Sequence, residues 1–114
     1  MIIRREFVKY ILWRNFIALA LYPYIFVRPD VKVNERLLTH ERIHLQQQRE
    51  LSLVVFLLIY LGEWVWLLTS ALWRRAEDPW MDAYRNIRFE KEAYMYESFP
   101  EYPDKREKGA WRKL

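Results

Sequence analysis

The stretch from Leu51 to Trp73 constrains the fold more than any other part of the chain. It carries one charged side chain, Glu63, and closes on Arg74-Arg75. A helix of about 20 apolar residues is enough to cross the hydrocarbon core of a bilayer. A chain of 114 residues has room for one domain with one modest core. A single segment of this kind therefore either meets lipid or supplies much of the interior.

Composition favours lipid contact. Aromatic residues make up 18% of the chain, with six Trp and eight Tyr, yet charged residues reach 30% and the net charge is +4. Apolar and charged residues come in separate blocks. Trp and Tyr favour the membrane interface, and Lys and Arg favour the headgroups. The alternative is an unusually aromatic protein core. Basic residues are interleaved with Asp and Glu, and no nucleic-acid-binding motif occurs, so no nucleic-acid partner is expected. Cysteine is absent, which excludes disulfides, thiolate metal sites and cysteine nucleophiles.

The chemistry is concentrated in His40-Glu41-Arg42-Ile43-His44, which holds both histidines of the protein. On a helix, positions i and i+4 share a face. Two imidazoles so placed can hold one Zn²⁺, and Glu41 beside them can take a proton from a water bound there. The alternative is the polar face of a surface helix. No third histidine exists, so a third protein ligand has to be Asp or Glu.

Around this motif the chain reads as mostly helical, with about four helical segments and a short β hairpin. Residues 1–27 start basic and turn apolar, but Pro23 interrupts the run and no small-residue cleavage site follows, so no cleaved signal is expected. Phe7, Tyr10, Ile11 and Arg14 fit one helical face, lying on a membrane with Arg4, Arg5 and Lys9 near headgroups or packing on the core. Tyr24-Ile25-Phe26-Val27-Arg28, a turn at Pro29-Asp30 and Val31-Lys32-Val33 predict a hairpin. That ribbon is a candidate for holding a substrate backbone by strand addition. Asn34 is the expected N-cap of the motif helix, and Gln46-Gln47-Gln48 can support its ligands or face solvent. Asp78-Pro79 opens another helix, expected to run to Phe99 before Pro100 stops it. Residues 1–99 form the expected domain, and 100–114 a loose charged tail with Trp111 touching the surface.

Glu90-Lys91-Glu92-Ala93, after the His-Glu-x-x-His helix, resembles the third-ligand signature of the gluzincin zinc metallopeptidases, in particular short membrane-associated members. The resemblance covers roughly residues 37–97. It implies that His40, His44 and Glu90 are zinc ligands and that Glu41 is the catalytic base. Such enzymes usually carry Asp four residues after the ligand Glu, where this chain has Tyr94. That leaves Glu92 as an alternative ligand, and Glu92 or Glu97 as ligand or orienting group. Tyr84, Tyr94, Arg85 and Arg88 are candidate donors to the transition-state oxyanion.

The two signals conflict geometrically. One helix running from His40 to Trp73 would end roughly 40 Å beyond His44, and the return from Pro79 to Glu90 recovers only about 17 Å. A break at Gly62-Glu63 would resolve this, giving an apolar helical hairpin that dips into one leaflet or packs as core. The expected function is zinc-dependent peptide hydrolysis at or in a membrane, on a peptide or protein substrate. The alternatives are a metal-stabilised, non-catalytic partner subunit and a membrane-active peptide. Arg and Lys flank both apolar runs, so membrane side stays open, as does homo- or hetero-oligomerisation.

Overall fold

A computed structural model describes residues 2–5 and 17–114. The expected N-terminal helix through Phe7, Tyr10, Ile11 and Arg14 lies outside them. The described residues form a mostly helical fold with a small sheet: β1 (Ile2–Ile3), β2 (Ala18–Leu21), β3 (Tyr24–Val27), α1 (Glu35–Leu51), α2 (Leu53–Trp73), α3 (Pro79–Asn86), α4 (Arg88–Tyr96), α5 (Tyr102–Lys105) and a 3₁₀ turn at Ala110–Lys113.

Local chemistry sets the helix starts. Asn34 caps α1, its side chain accepting from Leu37 N at 2.8 Å. Asp78 caps α3 through Met81 N, with Pro79 in the first turn. Both starts match the sequence reading.

The hairpin does not match it. β3 is the central strand, parallel to β1 and antiparallel to β2, and β2 and β3 turn at Tyr22-Pro23. Pro29-Asp30 does form a turn, closed by Val31 N donating to Arg28 O, but it leads into α1. The apolar strand Ala18–Leu21 supplies a better partner for buried Ile25 and Val27 than Val31-Lys32-Val33 does. The proposed substrate ribbon is thus paired on both edges, and among the described residues β1 and β2 are the edge strands.

The expected break at Gly62 is also corrected. α2 continues through Gly62, and a Cβ there would meet open space, so nothing requires a glycine. The chain breaks ten residues earlier, at Ser52, whose φ of 72° and ψ of 153° turn α2 away from the line of α1. The elements after α2 then pack back along it. Arg74 meets Asp82 at 3.0 Å, Glu63 meets Arg88 at 2.7 Å, and the Tyr60 hydroxyl meets Glu90 at 2.7 Å. Glu90 comes to rest opposite a residue only about 12 Å along α2 from the Ser52 break, and the distance conflict disappears.

The helix expected over Pro79–Phe99 is two helices, separated at extended Ile87 (ψ 130°). Glu63 accepts from Arg88 N at 3.0 Å, an anion at the N-terminus of α4. Its place in the apolar run is explained by this bond and by its ion pair with the Arg88 guanidinium.

Ile87, Phe89, Phe56 and Trp111 form the buried cluster, with Phe56 and Phe89 rings stacked at 4.4 Å. The expected loose tail is therefore part of the core. Trp111 is 4% exposed, and Arg106 is buried against Glu92 and Glu50. α2 is the opposite case. It is long and apolar enough to cross a membrane by length and composition, yet only 6% of its most apolar stretch is buried.

Candidate metal centre

α1 presents His40 and His44 on one face, and α4 brings Glu90 against them. Glu90 Oε1 lies 3.2 Å from His40 Nε2 and 3.1 Å from His44 Nε2, and the two Nε2 atoms are 3.2 Å apart. All three residues are buried. Together they could hold a metal ion.

The surrounding hydrogen bonds say what these atoms offer. His40 Nδ1 lies 2.9 Å from Glu97 Oε2, an acceptor, so Nδ1 carries the proton. His44 Nδ1 faces Gln47 Oε1 at 2.9 Å. The Gln47 amide is fixed in that sense because its Nε2 donates to Phe89 O and Glu92 Oε1. In the neutral rings both Nε2 atoms then hold lone pairs. Two imidazole lone pairs and a carboxylate oxygen converge with no hydrogen among them. A cation relieves that repulsion. Ligand bonds of 2.0–2.1 Å around a tetrahedral ion give ligand–ligand edges of about 3.3–3.4 Å, close to the three separations found. The donor set therefore fits a divalent ion.

Without a metal the same demand falls on protons. Burial opposes a charged His44, but the adjacent Glu90 carboxylate outweighs it and pushes the imidazole up to about 9. Burial likewise pushes Glu90 up, and His44 and His40 overcome it, holding the carboxyl below its usual range. Tyr60 donates to the second oxygen of Glu90 and fixes which oxygen faces the histidines.

Glu41 stands beside this group. Burial pushes its carboxyl above the ordinary value, against the lowering influence of His44 and His40. Among the described residues no hydrogen bond ties it down, and it lines cavities of about 610 Å³ and about 250 Å³.

The remaining sequence candidates divide. Glu92 lies outside the group: it is 0% exposed and held by Arg106, Tyr102 and Gln47. Glu97 orients His40 and is itself held by Arg36 at 3.0 Å. Tyr94 packs its ring on His40 at 4.7 Å, and its hydroxyl pairs with that of Tyr84, which lines both cavities. Arg85 lies over the Tyr94 ring, 4.8 Å from its centroid. Arg88 is committed to Glu63 and to the face of Trp111, away from the centre.

Sequence reasoning missed Tyr60 and left Gln47 undecided. Gln47 is three residues from His44 on the same helix, a spacing that brings side chains together. Tyr60 carries no such signal, because it sits inside the apolar run. Compared with known proteins, the chain matches no family model, no curated protein and no solved structure.

Proposed function

We propose that this protein is a zinc-dependent peptidase of gluzincin type that works at a membrane. The observation that carries the proposal is the triangle of His40 Nε2, His44 Nε2 and Glu90 Oε1, with edges of 3.1–3.2 Å, beside an unengaged Glu41 at a cavity. Zinc suits two imidazoles and a carboxylate. Bound there, it would supply a water acidic enough to ionise near neutral pH and would polarise a substrate carbonyl.

The chain's own residues do the rest. Glu97 and Gln47 fix the tautomers of His40 and His44, and Tyr60 fixes Glu90. Glu41 accepts the proton of the attacking water and returns it to the departing nitrogen. Its position beside the three ligands, at the edge of both cavities, suits both halves of that transfer. Tyr84 lines both cavities and is the candidate donor to a developing oxyanion, its hydroxyl proton turning there from Tyr94. Tyr94 holds the Tyr84 hydroxyl, and Arg85 packs on Tyr94.

Two further observations bear on the reading. Among the described residues the metal-ligating group has three members, which leaves a tetrahedral position for water and favours an enzyme over a closed structural site. The exposed apolar face of α2, with Trp66 and Trp73 before Arg74-Arg75, supports membrane association.

Glu41→Gln tests the assignment. The variant should hold as much zinc as the wild type by elemental analysis and lose at least about a hundredfold in hydrolysis, the scale of general-base catalysis. Equal turnover by both proteins would remove Glu41 as the base.

A further inference from the structure

The two cavities beside Glu41 have different walls. The larger, about 610 Å³, lies between β2 and a face of α2 that includes Phe56, Leu57, Leu61 and Trp64. Among the described residues its only carboxylate or imidazole groups are Glu41, His44 and Glu90 of the centre itself, and no described lysine or arginine lines it. The smaller, about 250 Å³, mixes Asn34, Arg36, His40 and Glu97, the Arg36–Glu97 ion pair among them, with Ile17, Leu37 and Met81. Ala18, Glu41 and Tyr84 belong to both. An apolar chamber and a more polar one therefore meet at the proposed base.

β2 runs past both, from Ile17-Ala18 at the more polar chamber to Leu21 at the apolar one. Arg28 N donates to Ile17 O at 3.0 Å, which makes Ile17 and Arg28 a hydrogen-bonded pair. Such pairs alternate along an antiparallel ladder. By the register Ala18↔Val27 and Ala20↔Ile25, Ala18 and Ala20 turn their backbone groups to the outer edge. Gln48 takes the Ala20 carbonyl. Among the described residues the Ala20 N–H and both groups of Ala18 have no partner. An extended peptide can use this edge, and its alternate side chains, about 7 Å apart, would then point into one chamber. Pockets of roughly 300–1,000 Å³ hold ligands larger than one side chain, so the apolar chamber has room for two.

We infer that the substrate is an extended peptide at the border between an apolar and a polar segment, with alternate apolar side chains in the large chamber and the polar residues toward Arg36. The substrate class rests on the peptidase reading only for the cut itself. Hydrolysis at the border adds the hydroxyl of water to the carbonyl carbon and its proton, carried by Glu41, to the leaving nitrogen. Leu57 and Leu61, 45% and 57% exposed, belong both to the chamber wall and to the apolar surface of α2. The chamber is thus continuous with the face proposed to meet lipid. A segment emerging from a bilayer would meet the apolar chamber first, so the source of the peptide is the end of a membrane-embedded segment.

Binding is measured apart from cutting. Zinc-loaded Glu41→Gln protein in dodecyl maltoside micelles is titrated with two labelled 14-residue peptides. One has a leucine-rich half followed by a half of Ser, Asp and Lys; in the other the leucines are serine. The border peptide should bind at least about tenfold more tightly. Leu61→Arg, at a half-exposed position that tolerates the change, should remove that preference. Leu58→Arg, 66% exposed and not in the chamber wall, should keep it. Wild-type zinc protein in phosphatidylcholine–phosphatidylglycerol vesicles should cut the vesicle-bound border peptide at the border by mass spectrometry. Equal binding of the two peptides, or an unchanged preference in Leu61→Arg, would overturn the inference. So would displacement of the peptide by myristate at equal concentration, which would make the occupant an acyl chain, and cleavage of the border peptide in solution but never in vesicles. A preserved binding preference with no cleavage at all would sink the peptidase reading and leave the peptide site standing.

Discussion

Glu90 and Glu92 lie two residues apart on α4, and both are buried, at 4% and 0% exposure. Their surroundings are opposite. Glu92 receives Arg106 through two nitrogens, at 2.7 and 2.9 Å, and the Tyr102 hydroxyl at 2.7 Å. Glu50 pairs with the same guanidinium. The chain supplies its own permanent cation there, carried in by the C-terminal segment. Glu90 faces two imidazoles and a tyrosine, with no lysine or arginine among the described residues in the group. A buried carboxylate without a fixed countercharge is costly. The difference marks the carboxylate that could use a metal: the one whose compensation is left to protons on the imidazoles or to a cation from outside the chain. Gln47 joins the two centres, touching Glu92 with its nitrogen and His44 with its oxygen.

The comparison breaks most sharply under removal of a ligand. His40→Ala should reduce bound zinc from about one per chain to a small fraction after dialysis, because two protein ligands seldom retain the ion. Elemental analysis of both proteins measures it. Full retention of zinc by the variant would mean that the ion sits elsewhere and that the two carboxylates do not differ as described. At the other centre, Arg106→Met should cost about 3–5 kcal/mol in chemical denaturation, since it strands a buried anion. Adding Glu92→Gln should recover much of that loss, because the fully buried charge is then gone while Glu50, 12% exposed, keeps the Gly109 N–H. Zinc content per folded chain should survive in the double variant. A double variant no more stable than Arg106→Met would show that the guanidinium acts by packing and not by charge.

Proton dependence separates the centres next. In zinc-free protein His44 has a folded pKa of about 9 against 6.5 unfolded. A group raised in this way stabilises the fold fully below about pH 6.5 and loses its contribution as pH rises through about 9. The loss is on the order of 3 kcal/mol. Glu90, lowered in the fold, acts in the other direction: its contribution is present above about pH 4.5 and fades on acidification. Zinc-free protein should therefore weaken from pH 6.5 to 9, while zinc-loaded protein should not. Zinc binding near pH 7.5 should release about one proton, seen by calorimetry in buffers of different ionisation enthalpy. The Arg106 centre has no part in this window, so Arg106→Met should leave the slope unchanged.

Much of this contrast was legible in the sequence, and the illegible part has a physical reason. The spacing of His40 and His44 and the caps at Asn34 and Asp78 are local rules, and they survive in the fold. The gluzincin resemblance pointed to Glu90, which does meet both imidazoles, while its alternative Glu92 does not. What distinguishes those carboxylates is Arg106, fourteen residues later in a segment that reads as a loose tail. Charge density there concealed Trp111 and Arg106, which are buried only because α4 offers Phe89 and Glu92 to receive them. The apolar run concealed Tyr60 in the same way. Its hydroxyl matters only because Glu90 returns opposite it, and that return depends on a backbone angle at Ser52.

Ser52 is also where the smallest effect is expected, and it separates geometry from charge. Its φ of 72° with ψ of 153° is a conformation that costs a residue with a Cβ on the order of 1–3 kcal/mol. Glycine adopts it freely. Ser52→Gly gives up the bond from Val55 N to the serine hydroxyl, worth a few tenths of a kcal/mol against glycine, and adds freedom to the unfolded chain worth about 0.4–1 kcal/mol. The balance should be a gain of about 0.5–1 kcal/mol, a rise of several degrees in melting temperature for a chain of this size. Ser52→Ala keeps the backbone cost and loses the cap, so it should move the other way by about 1 kcal/mol. Neither substitution touches a charge. If the metal centre and the Arg106 centre differ only in who supplies the cation, both variants should bind zinc as the wild type does. A change in zinc affinity would instead make the Ser52 joint part of the centre, by way of the angle at which α2 delivers Tyr60 to Glu90.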